Sequence, residues 1–172
     1  MSEPERQVNS SYPIRPTSLE ELDFIAQMWI ELDEHVKQHS SDYTKLKKSN
    51  DYPRYISRWV SKFFQNSDAL LLSALSSNSP QPQVCGFISA QIQYMPWYHT
   101  QRIGLIGPCF VNPMYRRRGI ATAMVKTVES WLKEKQVSYV DVIWDQGNRE
   151  AECFWRKLGF ESAQIRASKA LL

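Results

Sequence analysis

One stretch, residues 111–124 (VNPMYRRRGIATAM), restricts the fold more than any other, because an apolar strand, a turn and an amphipathic helix follow one another there without a spacer. Asn112 and Pro113 close the strand. Proline brings no N–H to a ladder and pushes the residue before it out of helical geometry. Gly119 then allows a turn with no side chain in the way. Beyond it Ile120, Ala123, Met124, Thr127, Val128, Trp131 and Leu132 recur at helical spacing, with Lys126, Glu129, Lys133 and Glu134 on the opposite side. One face is core and the other is water.

The first amides of such a helix have no intrahelical partner, and its macrodipole makes that end partly positive, so it favours anions. Arg116, Arg117 and Arg118 stand at this same end, although cations are normally favoured at the other one. An anionic ligand resolves the conflict. The plainer alternative is a solvated basic turn; the strand, glycine and helix around the arginines favour the anion.

Residues 116–121 (RRRGIA) resemble the R/Q-x-x-G-x-G/A motif of the GNAT superfamily of acyl-CoA-dependent N-acetyltransferases. A second block supports the resemblance: Asn148, Ala151, Phe154, Leu158, Gly159 and Phe160 are similar to the family's N-x-x-A-x-x-[FLY]-Y-x-x-x-G-F segment, in the expected order downstream. The two blocks and the segment between them span about a third of the chain, and the order of elements extends the likeness over most of it.

At 172 residues, with 42% hydrophobic and 12% aromatic content, the chain has enough apolar material for one domain with a core, expected over residues 12–172 after a tail at 1–11. A net charge of +3, with basic residues dispersed apart from the arginines and the lysines between 45 and 48, gives no broad field for nucleic acid. The opening MSEPERQVNSS has no apolar stretch of the signal-peptide kind, and no run reaches membrane-spanning length, so the expectation is a cytoplasmic protein without membrane contact. Cys85, Cys109 and Cys153 are odd in number and far apart, which suits neither a disulfide framework nor a metal site. They read as packing thiols, with Cys109 alone placed for a nucleophilic role.

Taken in order, residues 12–16 read as a short strand, and Thr17 or Ser18 as the cap of a helix with a glutamate three residues on. Leu22, Ile25, Ala26, Trp29, Leu32 and Val36 give that helix its apolar face. A polar loop spans 38–51, and Pro53 opens a second helix carrying Ile56, Trp59, Val60, Phe63 and Phe64. Apolar runs at 69–75, 84–94 and 103–111 form an antiparallel meander. After the central helix come a buried strand at 139–144, a short helix that Asn148 caps and Gly159 ends, and a closing strand at 160–169. The fold class is therefore α/β (α+β): a mixed, mostly antiparallel sheet flanked by about four helices, as the GNAT resemblance also implies.

The resemblance further implies that the strands on either side of the central helix splay apart and that the pantetheine arm of coenzyme A lies in the gap. On that basis acetyl-CoA is the expected co-substrate, with no metal. The amides from Arg117 through Gly119, Ile120, Ala121 and Thr122 would hold its pyrophosphate beside Arg116 and Arg118. Cys109, Phe110 and Val111 would offer backbone groups to the arm, and Val111 an N–H to the acyl oxygen. Asn148 matches a position that commonly contacts the cofactor; a plain helix cap is an equal reading.

Two positions depart from the family pattern. Many relatives carry a glutamate on the strand before the arginine turn as the base for the amine, whereas residues 104–110 contain no carboxylate. Asp141, His99, Asp33 or Glu34 are the candidate substitutes, with a surface or structural role the plainer reading of each. Trp155 stands where the family usually has the tyrosine that protonates the leaving thiolate, and an indole N–H donates a hydrogen bond without being a useful acid. Trp155 then reads as cofactor packing or a weak donor, with Tyr94, Tyr98 or Tyr139 as replacement acids. The hairpin of Tyr94 to His99 and the acids Glu31, Asp33 and Glu34 fall where relatives shape the acceptor site, a mixture suited to a cationic amine, either a small molecule or a peptide N-terminus. The expected activity is transfer of acetyl to a primary amine by a monomer or homodimer; the alternative is a non-catalytic acyl-CoA sensor or interaction module.

Overall fold

The computed structural model describes residues 12–38, 49–76 and 82–164. Five strands form one sheet in the order β1-β2-β3-β4-β5. They are β1 (Ile14–Pro16), β2 (Ala69–Ser76), β3 (Gln83–Tyr94), β4 (Arg102–Val111) and β5 (Val140–Val142), and the helices are α1 (Leu22–Lys37), α2 (Tyr52–Ser61), α3 (Ile120–Glu134) and α4 (Arg149–Lys157). The first four strands are antiparallel neighbours, and β5 joins β4 in parallel. The mixed, mostly antiparallel architecture expected from the sequence is present.

Alternation along β2 and β3 splits the apolar side chains between two cores, because successive residues of a strand point to opposite faces. Leu72, Ala74, Ile88, Ala90 and Ile106 face α3, where Met124, Val125 and Val128 are fully buried. Leu71, Phe87 and Phe110 face α1 and α2 and pack with Ile25, Trp29, Ile56, Val60 and Phe63. Each such side chain, fully buried, contributes about 1.5–3 kcal/mol. Trp29 stands at 4.8 Å from Trp59 and 6.0 Å from Phe87, so aromatic contacts tie α1 to both α2 and the sheet.

The start of α1 follows the capping signal in part. A single 3-10 turn, Leu19–Glu21, precedes the helix, and the Glu21 carboxylate accepts from the Ser18 N–H at 2.9 Å. The same carboxylate accepts from both Arg15 terminal nitrogens (2.6 and 3.1 Å) and from the Ser73 hydroxyl at 3.0 Å, which ties β1, the turn and β2 together.

Several expectations are corrected. The strand expected at 139–144 is only three residues long and is an edge, paired with β4 alone among the described residues. Tyr139 is 63% and Ile143 80% exposed, and among the described residues no second strand covers that side. Residues 160–164, the start of the expected closing strand, form no strand, and 165–169 lie outside the described residues. The tail at 1–11 and most of the polar loop at 38–51 are likewise outside them. Trp59 and Phe64 are partly exposed rather than enclosed, since the buried stripe of this segment runs through Ile56, Val60 and Phe63. Among the described residues no helix is long and apolar enough to cross a membrane, and no cluster of His, Cys, Asp or Glu is placed to hold a metal ion.

Candidate active site

The free end of β4 is the centre of the site. Its pairing with β5 runs from Gly104 and Val140 to Ile106 and Val142 and then stops, while β4 itself continues to Val111. The Gly104 N–H reaches the Tyr139 carbonyl on the β5 side (2.8 Å), and the Asn112 N–H reaches the Cys85 carbonyl on the β3 side (2.9 Å). By alternation the N–H groups of Cys109 and Val111 are directed to the side where β5 no longer pairs. Phe110 differs from the expectation: it is paired with Phe87 in the β3 ladder, and its ring is buried in the core on the α1 and α2 face. Its backbone is therefore turned away from the gap.

Directly after this edge the chain makes a 3-10 turn (Pro113–Tyr115), opened by the Asn112 side chain accepting from the Met114 N–H at 3.1 Å. Arg117 and Gly119 then take left-handed φ values of 62° and 79°, and α3 begins at Ile120 with Gly119 as its N-cap. The Ile120 side chain goes into the core, with Ala121 and Thr122 half-buried beside it. A Cβ built on Gly119 would meet nothing within 4 Å, so the space over the helix N-terminus is open.

The three arginines behave differently from one another. Arg116 donates from Nε to the Val111 carbonyl (3.0 Å), lies 5.7 Å from the Phe110 ring centre, and stands 3.9 Å from the Glu150 carboxylate. Arg118 donates to the Tyr12 hydroxyl at 2.6 Å and to the Met114 carbonyl at 3.2 Å. Both brace the turn. Arg117 has an exposed side chain with no hydrogen-bond or ion-pair partner among the described residues.

At the start of α4, Asn148 accepts from the Ala151 N–H at 3.0 Å, the cap that its position suggested. Gly159 leaves the helix with φ 90°. Residues 28–160 fit the model of the acetyltransferase (GNAT) family. The chain belongs to the GNAT family of acetyltransferases.

An uncharacterized N-acetyltransferase of Methanocaldococcus jannaschii is 22% identical over 155 residues, which are 90% of this chain; the chain spans 63% of that relative's length. A predicted acetyltransferase from Clostridium acetobutylicum, solved with acetyl-CoA, aligns at a TM-score of 0.69 and 17% identity, covering 93% of this chain and 96% of that one. The aminoglycoside acetyltransferase AAC(6')-Iy, solved with a bisubstrate analogue of coenzyme A and acetylneamine, aligns at 0.70 and 17%, covering 95% and 100%. These solved structures share the GNAT fold with this chain.

Within the GNAT frame, Trp155 is buried and stacks edge-on against Phe154 (4.9 Å) and Phe160 (5.4 Å). Its ring fills the core beneath α4. Asp141 is exposed in the middle of β5, in register with Leu105 and Gln91, so its side chain shares the sheet face that α1 and α2 pack against. Tyr94, Trp97, Tyr98 and His99 lie exposed at the tip of the β3–β4 hairpin, with Trp97 at 72%. Burial pushes the Cys109 thiol up to about 12. A nucleophilic role needs a thiolate, so its environment opposes one.

The sequence reading missed a break inside β4. Ile88 pairs with Cys109 but Ala90 pairs with Ile106, so Gly107 and Pro108 together face Ser89 in a β-bulge. The signal was present: a proline inside a strand is confined to an edge or a bulge, and here it marks both.

Proposed function

We propose that the chain is an acetyl-CoA-dependent N-acetyltransferase acting on a primary amine. The observation that carries the reading is the unpaired end of β4, running straight into the left-handed turn and the open N-terminus of α3. The fit to the co-substrate rests on chemistry these groups possess. Backbone N–H groups from Arg117 to Thr122 converge at a helix N-terminus suited to a pyrophosphate, and Arg117 keeps its guanidinium for the same anion. Arg116 and Arg118 support the cradle through their hydrogen bonds to Val111, Met114 and Tyr12. Cys109 and Val111 would hold the pantetheine arm along the free edge, with the Val111 N–H stabilising charge that develops on the acyl oxygen.

When bound, acetyl-CoA supplies an activated thioester that an amine attacks directly. Asp141 is the carboxylate of the acceptor face nearest the end of β5 pairing and is the base of this reading. No acid is assigned to Trp155. A thiol of pKa about 8.5 leaves without much help, so turnover survives the absence of a tyrosine there. Asp141, on the sheet face that α1 and α2 pack against, and the acids carried by α1 suit a cationic acceptor, whether a small polyamine, an aminoglycoside or a peptide N-terminus. A cytoplasmic location, where coenzyme A is plentiful, goes with this reading.

A thiol-release assay with acetyl-CoA and a panel of spermidine, kanamycin and an alanyl tripeptide tests the proposal. Turnover on at least one amine is expected. Tight coenzyme A binding with no turnover on any of them would instead support a sensor, the reading favoured by the carboxylate-free segment 104–110.

A further inference from the structure

Ser89 lies in the middle of β3 and is 0% exposed, and its Oγ is the one buried side-chain oxygen or nitrogen among the described residues that has no hydrogen-bond partner. Buried hydroxyls are ordinarily satisfied, so an unpaired one calls for a reason. Its neighbours supply one. Ser89 is paired with Leu71, which places it on the α1 and α2 face, and it stands opposite the Gly107–Pro108 bulge of β4. A Cβ added to Gly107 would lie 2.5 Å from the Ser89 oxygen, so a side chain at that position would force the hydroxyl to turn. The bulge begins one residue after β5 stops pairing with β4, and Asp141 shares the face.

We propose that the Ser89 hydroxyl is the hydrogen-bond acceptor that positions the amino nitrogen of the acceptor substrate at the bulge of β4. The inference rests on the N-acetyltransferase reading and assigns part of its acceptor site. The hydroxyl accepts one N–H of the neutral amine and leaves the nitrogen lone pair directed away from it for attack; it takes no proton. The hydroxyl is covered by its neighbours, so amine entry displaces the bulge. A Gly-Pro pair, with one residue lacking a side chain and the other lacking an N–H, gives the ladder least resistance to that displacement. The acceptor side of the orphan hydroxyl is then completed by the ligand rather than by the fold.

Ser89→Ala separates this role from a structural one. A hydroxyl that served packing alone would cost stability on removal; one left unpaired for a ligand does not. The expected result is an unchanged or raised Tm, coenzyme A affinity by calorimetry within twofold of wild type, and kcat/KM for the best amine of the panel reduced at least tenfold, chiefly through KM. Gly107→Ala displaces the hydroxyl and should reproduce the loss of amine KM with a lowered Tm. In the Ser89→Ala/Gly107→Ala double variant the clash is relieved, so Tm recovers while KM does not. Ser89→Ala with unchanged kcat/KM overturns the proposal and leaves the N-acetyltransferase reading standing. A wild-type chain that binds no coenzyme A overturns that reading and this one with it.

Discussion

Replacement of Gly119 tests the anion cradle because stability and affinity are expected to respond in different ways. Gly119 has φ 79°, and a Cβ there meets nothing within 4 Å. Gly119→Ala therefore costs the left-handed strain of an L residue, about 1–2 kcal/mol, with no clash to add. For a chain of this size that corresponds to a Tm lower by roughly 2–8 °C. Gly119→Asp pays the same strain, but aspartate tolerates the left-handed region better than alanine does. A negative charge at the α3 N-terminus also returns about 0.3–1 kcal/mol through the helix dipole. Asp at 119 should thus melt at or above the Ala variant. Coenzyme A should respond oppositely. A carboxylate about 4 Å from a phosphate is opposed by about 1 kcal/mol per charge pair in water and about 4 kcal/mol at an effective dielectric of 20. At the lower limit, with two phosphate charges, the Asp variant loses about 2 kcal/mol, or roughly thirtyfold in Kd. Calorimetric titration with coenzyme A, beside thermal melts of wild type and both variants, reads both quantities. An Asp variant that melts normally and binds within twofold of wild type would remove the α3 N-terminus from the site.

Two further outcomes follow from the environments of titrating groups. Burial by itself would raise the Glu21 pKa, but the hydrogen bonds from Arg15, the Ser18 N–H and Ser73 outweigh it and hold the carboxyl below its ordinary 4.5. Its stabilising contribution is therefore complete above that value and is lost as pH falls through the folded-state pKa. Wild type should lose denaturation free energy below about pH 4.5 more steeply than Glu21→Gln, and parallel curves for the two would count against the network. Among the cysteines, burial pushes the thiols of Cys85 to about 11 and Cys109 to about 12, while Cys153 is exposed. Brief iodoacetamide treatment at pH 8 should therefore label Cys153 alone by peptide mass spectrometry, because the thiolate is the reacting form; rapid labelling of Cys109 would show that β4 opens readily.

Much of the fold was legible because its signals are local. The period of the apolar residues identified α1, α2, α3 and the β2–β3–β4 meander, and Asn148, Gly159 and Gly119 marked helix ends through their own backbone preferences. The turn from β4 into α3 was also legible, but not the division of labour among its arginines. Arg116 and Arg118 face partners that are distant in sequence or fixed by the turn's own shape, as with Tyr12 and Arg118, and only assembly reveals which guanidinium is left over.

Edges and gaps were decided by the tertiary structure. The segment 139–144 has an apolar composition that suits a buried strand, yet it pairs for three residues on one side, since strand length depends on a neighbour that the segment itself does not encode. The same is true of Trp155, whose motif position suggested cofactor packing and whose ring is enclosed by Phe154 and Phe160. By itself the sequence determined most of the elements, the order in which they follow and the glycine turn that opens α3, because each of these rests on residues a few positions apart. Among the described residues, where β4 loses its partner, which arginine stays free and why Ser89 has none to bond with were decided only by packing strands and helices that lie far apart along the chain.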